Sequence, residues 1–282
     1  MIEVDIPEHL KGAREVFNPY KPWPRQRAFH GSLAKYRLFG GSAGPGKSHA
    51  LMQEGCLTAN EWPFVKTLLL RRTYPQLEMG MLRYFHEHVP RDMYRKFNEQ
   101  KKVVTWHNGS LTQFGSCPNK GDIYNYQGQE NCFIGWDELT QFQFSEWNAL
   151  APWNRCPVKG SFASMAGATN PIGIGTQWVK SLFWLKKPCA EMDNLQAIQY
   201  NPADYDFVGA TYRDNPIYAN DEEFIRNLQS LPKGLRDALE NGSWDVIAGG
   251  YFDNFDQSKH VRSVVEVNKM LEPWHTRWIS ID

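Results

Sequence analysis

Cysteine is scarce in this sequence and follows no pattern. Cys56, Cys117, Cys132, Cys156 and Cys189 are odd in number, widely spaced and include no CxxC pair. That argues against a zinc site and leads to the expectation of free thiols in a reducing compartment, with no disulfide frame. Long apolar runs are absent as well. No stretch reaches the length of about 18 residues that a membrane-spanning helix needs. The N-terminal MIEVDIPEHLKG lacks a basic segment followed by an apolar one, so it does not read as a secretory signal. Neither sign of charge is in excess: 31 Lys and Arg stand against 31 Asp and Glu. A general nucleic-acid coat carries a basic surplus, so any such contact here has to come from local patches. Internal repeats and low-complexity linkers are also missing.

What is present suffices for a substantial core. The 282 residues are 41% hydrophobic and 14% aromatic, enough for one large α/β domain with a smaller appendage. KYRLFGG (35–41) reads as a strand running into glycines, SHALMQEGCLTA (48–59) as a helix, VKTLLLRR (65–72) as a strand and LEMGMLRYFHEHV (77–89) as a helix closed by Pro90. Segment 101–116 reads as a hairpin turning at Asn108-Gly109, because a type I′ turn needs positive φ at both central positions. NCFIGWDE (131–138) and SFASMAGATNP (161–171) are further strands, and GTQWVKSLFWL (175–185) is helical. Strands alternating with helices predict a mostly parallel sheet flanked by helices. Beyond residue 200 two short helices, 221–231 and 232–244, form a small helical appendage, with Pro232 opening the second and Gly242 ending it.

The chemistry starts at GGSAGPGKS. From Gly41 to Ser48 it matches GxxxxGK[ST], between a predicted strand and a predicted helix. Gly41, Gly44 and Gly46 let backbone N–H groups turn inward around phosphates. Lys47 adds a positive charge, the Ser48 hydroxyl is a Mg²⁺ ligand, and the helix offers its N-terminus to the anion. The competing reading is a glycine-rich turn with an incidental lysine. Asp137 and Glu138 end an apolar strand. In a phosphate-transfer site the first acid holds Mg²⁺ and the second polarises a water as general base; the alternative is a capping aspartate beside a solvated glutamate. Thr169-Asn170, ending the next strand, is a candidate γ-phosphate sensor or simply an Asn-Pro turn. Gln26 offers both a donor and an acceptor to an adenine edge, or is a surface glutamine at a helix start.

Taken in order, PRQ before the loop, GGSAGPGKS, LLLRRTYPQL (68–77), YNYQGQE (124–130), FIGWDELTQF (133–142), ATNPIGIGTQWV (168–179), ATYRDNP (210–216) and LRDALENGSWDV (235–246) make the chain resemble the ATPase half of the large terminase subunit of tailed bacteriophages and prophages. The resemblance implies a P-loop NTPase fold of the additional-strand, catalytic-glutamate type. Its ATPase core would span 1–200, a small lid or linker subdomain 201–270, and the opening of a ribonuclease H-like nuclease domain 271–282. It further implies ATP and Mg²⁺ as cofactors, Gln26 at adenine, Lys47 and Ser48 at the phosphates and metal, Asp137 as metal acid, Glu138 as base, and Thr169 with Asn170 as the coupling motif. The family's motor is a homo-oligomeric ring on the portal protein of a procapsid, working with a small terminase subunit to pump double-stranded DNA in the host cell cytoplasm. The isolated chain would be mostly monomeric.

Two departures bear on this. The loop carries no arginine, so the arginine that stabilises the transition state has to come from elsewhere. Arg155 ranks first, from a loop facing a neighbouring subunit, and Arg71 or Arg72 at a strand end is the alternative. WISID ends at Asp282 where a nuclease domain would begin, so no DNA cleavage is expected of this chain; Asp253 and Asp256 are read as linker. DNA contacts would fall on the basic run 91–102 and on Lys186-Lys187, unless these are only a solvated helix face. Other functions weighed are a helicase-like, DNA-stimulated ATPase and a docking module that holds ATP without turnover.

Overall fold

The central strands are near-continuous buried runs whose successive side chains face opposite sides, which sets the architecture. The computed structural model describes residues 19–245 together with 262–263, 266–267 and 270. Its strands are β1 (Tyr36–Gly41), β2 (Lys66–Arg71), β3 (Tyr94–Asn98), β4 (Val103–Trp106), β5 (Leu111–Ser116), β6 (Phe133–Asp137), β7 (Ser164–Thr169) and β8 (Tyr205–Ala210). They form one eight-stranded sheet in the order β3-β4-β5-β2-β6-β7-β1-β8. From β5 to β8 all neighbours are parallel, and β3 and β4 add an antiparallel edge. β7 lies between β1, which leads into the glycine loop, and β6, which ends in Asp137. This is the inserted strand of the expected fold type.

The two faces bury different cores. Phe39, Leu69 and Phe133 pack on one side with Leu51, Phe85 and Trp106. Leu38, Leu68, Leu70, Ile134 and Trp136 pack on the other with Trp147, Trp178 and Phe183. Successive residues of one strand serve opposite layers because strand side chains alternate. Each such side chain, fully buried, is worth about 1.5–3 kcal/mol.

The helices are α1 (Pro24–Gly31), α2 (Lys47–Glu61), α3 (Tyr74–Leu77) continuing through a π turn (Glu78–Leu82) into α4 (Arg83–His88), α5 (Phe144–Leu150), α6 (Thr176–Val179) with a π turn over Lys180–Trp184, α7 (Asn194–Gln199), α8 (Glu222–Gln229) and α9 (Lys233–Asn241). Asn108 and Gly109 lie in the turn that joins β4 to β5, but Gly109 alone takes a positive φ, 82°, so the hairpin forms without the expected type I′ geometry. The Asn108 side chain also donates to the Ala59 and Asn60 carbonyls at 2.9 and 3.0 Å, capping the end of α2. Pro232 precedes α9, and Gly242 ends it at φ 67° in the left-handed conformation that favours glycine.

Several expectations change. Cys132 and Cys156 are joined in a disulfide, while Cys56, Cys117 and Cys189 are free and buried. The cause is Asn154, whose amide donates to the Asn131 and Ser164 carbonyls, both at 3.0 Å. It draws the segment after α5 against the start of β6 and brings the two cysteines to a Cα separation of 4.5 Å. A spacing of 24 residues gives no hint of this. The basic run 91–102 is not a helix face. It forms β3 and its turn, where exposed Arg95 and Lys96 lie on the outermost strand among the described residues. Residues after 200 begin with β8, which pairs with β1 and so belongs to the main sheet. The chain divides into two units, Met1–Val246 and Ile247–Asp282. In the second, Ser263 and Glu266 cap a turn reciprocally, Ser263 N donating to Glu266 Oε2 at 2.8 Å and Glu266 N to Ser263 Oγ at 3.2 Å. Asp253, Asp256 and the nuclease-like segment ending in Asp282 lie outside the described residues.

Leu69 sits where α2 approaches the sheet. A Cβ on Gly135 of β6 would fall 2.7 Å from Leu69 Cδ2, and one on Gly55 of α2 would fall 3.0 Å from the same atom. Gly135→Val is therefore expected to destabilise by about 1–3 kcal/mol through overpacking, and Leu69→Ala alone by about 2–5 kcal/mol through a cavity. Combined, they should cost less than their sum in urea unfolding. Full additivity would mean that this close approach is not the constraint.

Candidate functional site

The parallel strands deliver their C-terminal ends to one cleft. Gly41, Gly44 and Gly46 turn the chain after β1 at φ 133°, 88° and 80°, values open to glycine and strained for other residues. Gly41 is also a matter of space, since a Cβ there would stand 2.0 Å from the Ala210 carbonyl oxygen. Distant partners clamp the loop. Ser42 N donates to Ala210 O at 3.0 Å and Ala43 N to Leu239 O at 2.7 Å. Asn215 Nδ2 donates to Gly44 O at 2.6 Å, and Ser42 Oγ accepts from Tyr212 N at 2.8 Å. β8, the turn after it and α9 thus hold the loop in shape.

Lys47 opens α2, and its ammonium donates to Ser42 O and, at 2.8 Å, to Asn170 Oδ1. Burial lowers its pKa to about 8, against the opposing pull of Glu138 and Asp137. Ser48 Oγ donates to Asp137 Oδ1 at 2.7 Å. Asp137 is fully buried, and its other oxygen pairs with Arg71 at the end of β2. Glu138 adopts the left-handed conformation, φ 53° and ψ 56°, which costs a non-glycine residue about 1–3 kcal/mol. This turn overrides the alternation that would send the second acid to the far face. Glu138 therefore reaches Thr169 Oγ1 at 3.4 Å and the Asn170 backbone N and Nδ2 at 3.5 Å. Burial first and Asp137 second raise its proton affinity, opposed by Lys47 and Arg71.

The other end of the cleft is aromatic. Gln26, on α1, is buried rather than at the surface. Its amide donates to Gly46 O at 3.3 Å and its oxygen accepts from Trp23 N at 3.0 Å and Tyr20 OH at 3.3 Å. Trp23, Tyr218 and Phe224 line the same cavity of about 910 Å³ as Lys47, Glu138 and Asn170. Thr169 bonds its neighbour element: its hydroxyl lies 2.7 Å from Thr140 Oγ1, which donates at 2.6 Å to Ile172 O.

The structure thus brings together Gln26, Gly41, Gly44, Gly46, Lys47, Ser48, Asp137, Glu138, Thr169 and Asn170. Arg155 does not join them. It follows Asn154, which bonds the start of β6, so it lies at the opposite end of that strand from Asp137, exposed and 3.0 Å from Glu130. Arg72 is occupied elsewhere, paired with the buried Glu146 and stacked over Phe142. Residues that sequence reasoning missed include Tyr20, Trp23, Asn215, Tyr218 and Phe224. Of these only Asn215 lay in a quoted motif, ATYRDNP, and none carries a spacing rule.

Lys47 yields a pH prediction. Its folded pKa, about 8, lies below the ordinary 10.5. Between these values the unfolded chain holds a proton that the folded chain lacks, so folded-state stability from this group rises with pH across that window. Lys47→Met should flatten the rise in thermal unfolding measured at several pH values from 7.5 to 10.5. Parallel pH profiles for parent and variant would show that Lys47 is not the source.

The model of the phage terminase large subunit family matches residues 34–240. Among solved structures, the large terminase of a thermophilic bacteriophage superposes with a TM-score of 0.65 at 16% identity, covering 85% of this chain and 58% of that one. The complex of that same phage's large terminase with ATP-γ-S gives 0.57 at 16%, covering 85% and 57%. The large terminase ATPase domain of Thermus phage P74-26 gives 0.56 at 19%, covering 82% and 94%. The chain thus spans 58% of the thermophilic phage's large terminase, and nearly all of the P74-26 ATPase domain, that it matches. No curated protein matches it in sequence. At these identities the structural likeness speaks for the fold, which is that of a large terminase ATPase domain, and the family match covers well over half of the sequence. The chain belongs to the phage terminase large subunit family.

Proposed function

We propose that this chain is the ATP-hydrolysing motor portion of a large terminase subunit, driving double-stranded DNA into a procapsid. The observation that carries the reading is the convergence of Lys47, Ser48, Asp137, Glu138 and Asn170, from the start of α2 and the ends of β6 and β7, onto one cleft beside the glycine loop. The thermophilic phage's large terminase, of the same fold, binds ATP-γ-S. ATP fits the cleft here: glycine-turned backbone and Lys47 suit the phosphates, and Gln26 with Trp23 and Tyr218 suits the base.

Mg²⁺ fits as well. Ser48 and Asp137 are adjacent hard oxygen donors. The described residues hold no cluster of three or more His, Cys, Asp or Glu side chains, as expected for an ion that keeps several waters and shares phosphate oxygens. When bound, the ion would neutralise charge on the transferring phosphoryl group. Glu138 is the base, its raised proton affinity suiting it to take a proton from water. Asn170 touches both Lys47 and Glu138, and Thr169 is bonded through Thr140 to the segment leading into α6. These contacts give a change in phosphate occupancy a route out of the site.

The proposal includes an ATPase core that takes in β8, a lid after it, a ring of copies on the portal protein, a small terminase subunit as partner and the host cytoplasm as setting. Among the described residues no helix is long and apolar enough to cross a membrane. Basic residues in 91–102 and Lys186-Lys187 remain the proposed DNA contacts.

Glu138→Gln should retain ATP-γ-S binding and lose about 10²–10⁴-fold in turnover; steady-state rates within a few-fold of the parent would assign the base elsewhere. Duplex DNA and portal should stimulate the parent's turnover, and stimulation by single strands alone would favour a helicase-like role. Arg155, remote from its own chain's cleft and exposed, is proposed to serve the neighbouring chain. Mixing Arg155→Ala with Lys47→Ala chains should then recover part of the lost activity, a finger of this kind being worth roughly 10³-fold or more. Recovery at no mixing ratio, where the parent assembles, would remove Arg155 from that role.

A further inference from the structure

Arg71 stands apart from the other arginines near the sheet. Arg37 is buried between Glu54, Ser164 and the Phe29 ring. Arg72 is held by Glu146 and Phe142. Both are fixed by partners with no place in the cleft. Among the described residues Arg71 makes its ion pair with Asp137 alone, and its buried Nε, like that of Arg37, has no hydrogen-bond partner. On the side of the π turn its neighbour is Gly80, where a built Cβ would lie 3.5 Å from Nη1, at ordinary contact distance.

Position adds a direction. The strand order β2-β6-β7-β1-β8 sets the tips in a row. Gln26 and α1 pack at the β1 and β8 side, where the base would lie. The glycine loop follows β1, Thr169 and Asn170 end β7, Asp137 and Glu138 end β6, and Arg71 ends β2. A nucleotide held by the loop with its base at Gln26 directs its phosphate tail along this row, so that the last phosphate is the one that approaches β2. Charge gives a reason for movement. Asp137 now shares its two oxygens between Ser48 and Arg71. A divalent cation on Ser48 and Asp137 would place a second positive centre on the same carboxylate, and two cations there repel.

We propose that Arg71 is a cationic placeholder: it neutralises Asp137 while the site is empty, and on loading it turns to the terminal phosphate, so that it is the group distinguishing a nucleoside triphosphate from a diphosphate. The inference rests on the ATP-site reading above and names a residue that acts within the same chain, distinct from the Arg155 proposed to act between chains. A guanidinium suits the task, because its planar fork matches a carboxylate and a phosphate equally well.

The test is equilibrium binding by calorimetry, with ADP and ATP-γ-S in Mg²⁺, for the parent, Arg71→Gln and Arg71→Lys, each checked for folding by circular dichroism. Glutamine can still hydrogen-bond Asp137 but brings no charge. Arg71→Gln should weaken ATP-γ-S by about tenfold or more, the size of one charge-assisted contact, and leave ADP within about twofold. The Mg²⁺ concentration that half-saturates ADP binding should fall, since the ion's competitor is gone. Arg71→Lys should keep part of the triphosphate preference, and it carries the test if the glutamine variant does not fold. Equal loss of both nucleotides, or affinities unchanged for both, would overturn the proposal and leave Arg71 a structural partner of Asp137. A parent chain that binds neither nucleotide would overturn the ATP-site reading itself, and this inference with it.

Discussion

A carboxylate with no exposed surface, Asp137, sits at the tip of β6, and much of the cleft is arranged around giving it partners. A buried charge left without partners is expensive, and removing one member of a buried pair typically costs about 3–5 kcal/mol. Asp137 therefore needs both Ser48 and Arg71, and each of these fixes an element. Ser48 ties the first turn of α2 to β6. Arg71 ties β2 to β6 on the other side. Glu138 follows in a strained turn, which the same strand end has to carry. The helix that opens on the phosphate loop is thus registered against the sheet by a polar contact at its start and by the close approach of Gly55, Leu69 and Gly135 along its length.

Most of this was legible where local chemistry dictates it. The phosphate loop, the acid pair and the Asn-Gly hairpin each combine a backbone requirement with a side-chain one, so residue type alone marks them. The mostly parallel sheet followed from alternating elements, and β6 and β7 from apolar runs bounded by turn residues. What stayed hidden depends on partners remote in sequence. YDFVGA (205–210) is too weakly patterned to announce β8, because its first five residues are only half-buried. The 91–102 run reads in sequence as a basic patch or a solvated helix face and not as a strand, since period-2 and period-3.6 patterns are hard to separate among long polar side chains. Cys132 and Cys156 meet where Asn154 and the backbone bond from Asn131 N to Trp153 O hold residues 153–154 against the start of β6.

The site shows the same division. Lys47, Ser48, Asp137 and Glu138 were readable by type and order. Gln26 was readable only through resemblance; its burial and its contact with Gly46 emerge from the fold. Arg155 looked suitable from its distance in sequence after the acids, but the chain runs from β6 through α5 back to the start of the strand, so sequence proximity carries it away from Asp137. Arg71 was one of two adjacent arginines that no rule could separate. Strand alternation separates them: Arg71 faces Asp137, and Arg72 faces the opposite layer at Glu146.

The clamps on the phosphate loop have a consequence for how the protein is made. Ser42 and Gly44 are held by Tyr212 and Asn215, 170 and 171 residues further along the chain, and Ala43 by the still later Leu239. At a synthesis rate of ~5–20 residues per second, the loop leaves the ribosome on the order of ten to thirty seconds before the segments that shape it. Through that interval the nascent chain carries a complete phosphate-loop sequence without the contacts that give it form. The shaping of that loop is thereby deferred until the last strand and helix of the sheet domain have been made.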